Sequence, residues 1–95
     1  MRLLAWSDQA SRDLEDVADF FADIDPALPN VMIGRIAAAA EPLLHNPRLG
    51  PLASGNGLRK WRAPKTSFLL LYIARGDAII VVRVVHAAAD WQSIV

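Results

Sequence analysis

Six cationic side chains in the second half of the chain are the residues best able to do chemistry: Arg59, Lys60, Arg62, Lys65, Arg83 and His86. Guanidinium and ammonium groups bind phosphate or carboxylate, and arginine does so in a bidentate fork. A histidine beside them can carry a proton near neutral pH. Arg59 and Trp61 fall on one expected strand and Arg83 on another. Alternate residues of neighbouring strands can share a face, so these three are candidates for one cationic groove beside an aromatic ring. Such a groove suits phosphate or the carboxylates of an acidic partner segment. Arg83 stands inside IIVVRVV, where a charge costs desolvation unless it is paired or opens on a groove. Pairing with Asp90 would make it a structural bridge that holds the tail. His86 opens HAAADW at 86–91. Its plainer role is an orienting hydrogen bond at a strand end, and Trp91 is expected to pack back on the core.

Other chemistries find little support. His45 and His86 lie far apart, there is no cysteine, and no helical pair has metal-ligand spacing. No metal and no cofactor is therefore expected. The Gly55–Gly57 stretch is a turn and not a phosphate loop. Ser54, Ser67 and Ser93 lack a nucleophile-elbow context. No catalytic residue is assigned.

The elements that position these residues follow from hydrophobic period. Arg2 to Trp6 reads as a short strand. Ser7 is an N-cap with Asp8 in the first turn, and Ala10, Leu14, Val17, Phe21 and Ile24 form one face of a helix. Arg12, Asp13, Glu15, Asp16, Asp19 and Asp23 are assigned to the solvated side. Asp25-Pro26 marks a second helix start, and Ile33, Ile36, Ala40 and Leu43 continue the spacing. Pro42 predicts a kink or an end near Ala40 to Glu41. Residues 46–57, NPRLGPLASGNG, are a loop. LRKWRA, TSFLLLYIA and AIIVVRVVH then read as strands, with a hairpin turn at Arg75-Gly76-Asp77. The order β-α-α-β-β-β predicts an α+β fold, with a helical hairpin packed on a curved, mainly antiparallel sheet. At 95 residues, the chain 1–95 is expected to be a single domain.

Composition sharpens the picture. The chain is 54% hydrophobic, more than so short a domain readily hides. No apolar run is long enough to span a bilayer, and the start turns polar too early for a signal peptide, so a cytoplasmic protein without membrane contact is expected. The formal net charge is +0. That argues against a protein living on nucleic-acid phosphates. The last two strands do not alternate apolar and polar residues, so both sheet faces ask for cover and the helices supply only one. Phe68, Leu70 and Tyr72, with Val82 and Val84, are the candidates for an apolar face that a protein partner covers.

Several stretches in this order resemble the RelE/ParE superfamily of bacterial type II toxin–antitoxin toxins. Trp6 followed by Ala10 and DLEDVADFF at 13–21 is similar to the first helix of that family. NPRLG at 46–50 resembles the loop after its helices, GLRKW at 57–61 its arginine-bearing strand, and VVRVVHAAADW at 81–91 its last strand and tail. The resemblance covers nearly the whole chain and implies the fold derived above. It also implies a cognate antitoxin, ParD-like, with a ribbon-helix-helix DNA-binding part. The two would form a hetero-oligomer that reaches DNA only through the antitoxin.

The superfamily divides by function. RelE-like members are endoribonucleases that cut mRNA on the ribosome, with basic strand residues and an arginine and a tyrosine near the C-terminus. ParE-like members lack that set and inhibit DNA gyrase, and the resemblance extends to growth inhibition and plasmid stabilization. Here Ala87, Ala88 and Ala89 follow His86, no tyrosine follows, and Trp91 has no ionisable proton near neutral pH. The resemblance is therefore to the ParE-like branch, and a gyrase-directed toxin without catalysis of its own is expected. His86 with the Arg59, Trp61 and Arg83 set would contact the target or the antitoxin tail, while Asp90 and Trp91 would anchor the chain end. The ribosome-dependent nuclease and an antitoxin-binding module that has lost toxicity remain the alternatives.

Overall fold

The computed structural model describes residues 2–94. Strand β1 (Leu3–Trp6) leads into helix α1 (Asp8–Ala22), and α2 (Leu28–Ala39) and the short α3 (Glu41–His45) follow. Three strands close the order: β2 (Arg59–Arg62), β3 (Phe68–Arg75) and β4 (Ala78–His86). A 3-10 turn spans Trp91–Ile94. The sheet runs β1-β4-β3-β2. The β2–β3 and β3–β4 pairs are antiparallel, and β1 joins β4 in parallel. The α+β architecture expected from the period change is the one observed.

Local chemistry explains most boundaries. The Ser7 hydroxyl accepts the Ala10 N–H at 3.0 Å and caps α1. The same hydroxyl donates to the Val82 carbonyl at 2.7 Å, so the cap also pins the helix start to β4. The α1–α2 connection runs later than expected. Helix α1 ends at Ala22 and leaves Ile24 exposed beyond it. The Asp25 carboxylate accepts the Ala27 N–H in a turn, and α2 begins only at Leu28, with Pro29 in its first turn. Pro42 breaks the second helix where expected, since α2 stops at Ala39 and α3 restarts with Pro42 in its first turn. Gly76 takes a left-handed φ of 59° at the two-residue turn joining β3 and β4.

The helical layer covers one face of the sheet. Ala10, Val17, Ile36, Ala39 and Ala40 pack on Ala63, Leu70, Val81 and Val84. Leu43 of α3 packs with Tyr72 and Ile79.

The second face differs from expectation. Leu58, Leu71, Val85 and Trp91 form a second buried cluster, flanked by half-buried Ala53, Leu69, Ile73 and Val82. Loop 46–57 and the C-terminal turn therefore fold under the sheet and cover most of that face themselves. Phe68, Leu70, Tyr72, Val82 and Val84 do not share one open face. Leu70, Tyr72 and Val84 are buried under the helices, and Val82 turns to the second cluster. The physical reason is a bulge in β4. Leu71 lies opposite Arg83 but Tyr72 lies opposite Val81, so Val82 is the extra residue and the facing of β4 changes there.

Candidate functional site

The expected cationic groove of Arg59, Trp61 and Arg83 does not assemble. The ladder puts Arg59 opposite Tyr72 and Trp61 opposite Leu70, while Arg83 shares Leu71 with Lys60. Each arginine is also committed elsewhere. Arg59 Nη1 donates to the Gly50 carbonyl at 2.8 Å. The Tyr72 hydroxyl donates to the Pro47 carbonyl at 2.8 Å and accepts the Gly50 N–H at 3.0 Å. Together they clamp loop 46–50 against β2 and β3. Glycine is needed at position 50, because a Cβ there would overlap the Lys60 carbonyl and the Tyr72 ring. NPRLG and GLRKW are thus two halves of one clamp. Burial pushes the Tyr72 phenol above its ordinary pKa, against the opposing pull of the Gly50 N–H and the Arg59 charge. Tyr72→Phe should orphan the Gly50 N–H and cost about 1–3 kcal/mol. Denaturant melting should show that loss, with faster amide exchange in residues 46–50. Unchanged melting would mean that the phenol bonds are not structural.

Arg83 does not pair with Asp90. Its Nε and Nη2 donate to the two oxygens of Asp13 at 2.8 and 3.1 Å. Asp13 is buried within α1 and accepts two further bonds, from the Val84 N–H at 2.9 Å and from Gln9 at 3.1 Å. The assignment of Asp13 to a solvated helix side is therefore corrected. Its position explains the contact, because β1 accompanies β4 only to Val81. Beyond that point the edge of β4 has no strand neighbour, and the Asp13 carboxylate takes the Val84 N–H there. Burial raises the Asp13 pKa, but the donors from Arg83, Val84 and Gln9 together outweigh it and hold the carboxyl below its ordinary value.

The tail residues separate into two roles. Trp91 is 5% exposed in the second cluster, with Lys60 Nζ 5.7 Å from its ring centroid. Asp90 is exposed, and among the described residues only its carbonyl is engaged, accepting the Ser93 hydroxyl. His86 Nδ1 accepts the Ala88 N–H at 3.1 Å, a strand-end bond that turns the chain out of β4. The His86 ring stands edge-on to Phe68, with centroids 5.5 Å apart.

His86 and Phe68 lead to an open groove, which periodicity alone did not locate. A groove of about 860 Å³ lies where α1 and the start of α2 leave the ends of β3 and β4 uncovered. Val17, Phe20 and Phe21 of α1, Met32 of α2, and Phe68 and Val84 of the sheet make its apolar lining. Phe20, Phe21 and Phe68 form an edge-to-face row, with centroids 5.1 and 6.3 Å apart. Phe20 is 61% exposed, a high value for so large an apolar ring. Arg62, Lys65 and His86 stand on the sheet side and Asp16 on α1. The sequence signal was the Phe20-Phe21 pair, since two adjacent large apolar residues on one helix cannot both face the same core.

Residues 4–91 match the family described as ParE toxin of type II toxin-antitoxin system, parDE. The chain belongs to the ParE toxin family. A solved chain of the chromosomal ParDE TA system from P. aeruginosa has the same fold, with a TM-score of 0.81 at 21% identity. The match covers 90% of this chain and 96% of that one. The comparison with curated proteins gives no match. No helix among the described residues is long and apolar enough to cross a membrane.

Proposed function

We propose that this ParE-family toxin acts in the cytoplasm by binding DNA gyrase, without catalysis of its own, and that a cognate ParD-like antitoxin with a ribbon-helix-helix part neutralises it. One observation carries the reading. Three polar groups that could serve strand cleavage are spent within the fold: Arg83 on Asp13, Arg59 on Gly50, and Tyr72 on Pro47 and Gly50. The open surface is instead a mainly apolar groove with the exposed Phe20 ring, which is the chemistry of protein contact. The tail after His86 offers three alanines, which can neither donate nor accept a side-chain proton.

The test is induction of the chain in a host lacking the antitoxin, followed by a supercoiling assay on purified gyrase. Expected are filamentous cells, a DNA-damage response and loss of supercoiling activity. Rapid translation arrest with cleaved mRNA would overturn the gyrase reading in favour of a nuclease. Normal growth would overturn toxicity itself.

A further inference from the structure

We propose that this toxin holds an acidic segment of its target in the groove between β2 and the C-terminal turn, on the sheet face away from the helices. The proposal rests on the gyrase reading and names the surface and the charge by which the target is held. The groove encloses about 470 Å³. Its placement follows from the strand ladder. Lys60 stands opposite Leu71 and Arg62 opposite Leu69, and directly opposed residues of an antiparallel pair share a face. Leu69 and Leu71 belong to the second cluster, so both cations rise from the face that Trp91 seals. Lys60 Nζ lies 5.7 Å from the Trp91 ring centroid, and the neighbouring Gln92 is exposed. No carboxylate lines the groove, and none among the described residues pairs with Lys60 or Arg62. Both cations and a side-chain amide thus share one opening with the apolar Pro51 and Leu69. An occupant must bring acceptors there, and ionised ones make the stronger bonds.

Both walls of the groove are braced. The Lys60 N–H donates to the Pro51 carbonyl at 3.1 Å and the Ala53 N–H to the Leu58 carbonyl at 2.7 Å. The loop therefore already occupies the outer edge of β2 at Lys60, and an occupant is met there by side chains and not by strand pairing. On the other wall the Ala87 N–H donates to the Ser67 carbonyl at 2.7 Å, and the Ser93 hydroxyl to the Asp90 carbonyl at 2.9 Å. Arg62 spends one guanidinium donor on the Thr66 carbonyl at 3.2 Å, which leaves its fork able to meet a carboxylate. Charges presented from a fixed frame reduce the ordering cost of binding. A nucleic-acid strand fits less well. Trp91 is 5% exposed and offers no open face to a base, and a formal net charge of +0 gives no long-range pull on a polyphosphate. The apolar groove beside α1 opens on the helical side of the sheet, with Arg62 at the edge between the two. The fold thus has separate surfaces for two partners, and the cationic one is assigned to the target.

Three labelled probes test the assignment on the full chain by fluorescence anisotropy: a peptide alternating glutamate with leucine, its lysine counterpart and a short DNA duplex. The glutamate peptide should bind at least about tenfold more tightly than the lysine one. Lys60→Glu and Gln92→Glu should each erase most of that preference, and Lys60→Arg should keep it. Arg75→Glu makes the same charge reversal at the exposed end of β3, so it controls for net charge and should change nothing. Gln92 is exposed, so Gln92→Glu should melt like the parent chain even where Lys60→Glu loses its packing on Trp91. Equal binding of the two peptides, an equal loss in Arg75→Glu, full preference in both groove variants, or tighter binding of the duplex would each overturn the assignment. Inhibition of gyrase supercoiling is then read on the same variants. It should weaken at least about tenfold in Lys60→Glu and persist in Lys60→Arg. Undiminished inhibition in variants that have lost the peptide preference would overturn the assignment to the target. Absence of inhibition by the parent chain removes the gyrase reading alone, and the peptides then decide the groove.

Discussion

Asp13→Ala should destabilise the fold by about 2–4 kcal/mol, more than Arg83→Ala does. Breaking a wholly buried ion pair costs roughly 3–5 kcal/mol, mostly through the charge left behind. The Arg83 side chain keeps 23% of its exposure, so water takes up part of that penalty. The asymmetry comes from the third partner. Without Asp13 both the guanidinium and the Val84 N–H lose their acceptor. Without Arg83 the carboxylate still holds the Val84 N–H and the Gln9 amide. A double-mutant cycle in denaturant should give a clear coupling between the two positions. Equal losses for the two single variants would refute the edge-capping role of Asp13. Acid should act through the same group. Its pKa is lowered in the fold, so the stability it contributes is present above the unfolded value of about 3.9 and is lost as pH falls through the lower folded value. Asp13→Asn should flatten the stability profile across that acid window and leave the slope near neutral pH unchanged.

That pair shows what was legible in the chain and what was not. The helix break at Pro42 and the hairpin at Gly76-Asp77 are local chemistry, and both were readable from neighbouring residues. The element order was legible in the change of hydrophobic period, and the family resemblance implies the same fold. Asp13 and Arg83 lie seventy positions apart, and only Arg83 was marked, while Asp13 was assigned to the solvated side of α1. Asp13 follows Ala10 by three and precedes Val17 by four, which puts an acid on the buried stripe of α1. Arg83 is the one charge inside β4. A buried acid and a half-buried base in one small fold are natural partners, and that argument reaches Asp13 before Asp90. The bulge at Val82 left no trace, because β4 is apolar on both sides and a one-residue shift changes no polarity pattern. The groove was equally silent. Its lining comes from α1, α2, the β2–β3 turn and two strand ends, and only the tertiary arrangement gathers them.

Trp91→Ala should cost about 3–5 kcal/mol, the usual range for truncating a buried tryptophan. The indole is the largest member of the cluster that seals the second sheet face, against Leu58, Leu71 and Val85. Lys60 lies over the ring at 5.7 Å, but a cation–π contact at a partly exposed site is worth only about 0.5–1 kcal/mol. Burial therefore dominates, and Lys60→Ala should change stability far less than Trp91→Ala. The apolar face first expected to await a partner is in this view closed by the tail of the chain itself. Removing the indole should reopen it, so an apolar-surface dye should bind the Trp91→Ala variant and not Lys60→Ala. Trp91→Phe should recover most of the stability, since a smaller ring still fills part of the site. The groove beside α1 shares no apolar residue with this cluster. Parent-like melting and no dye binding in Trp91→Ala would mean that loop 46–57 covers the face without the tail.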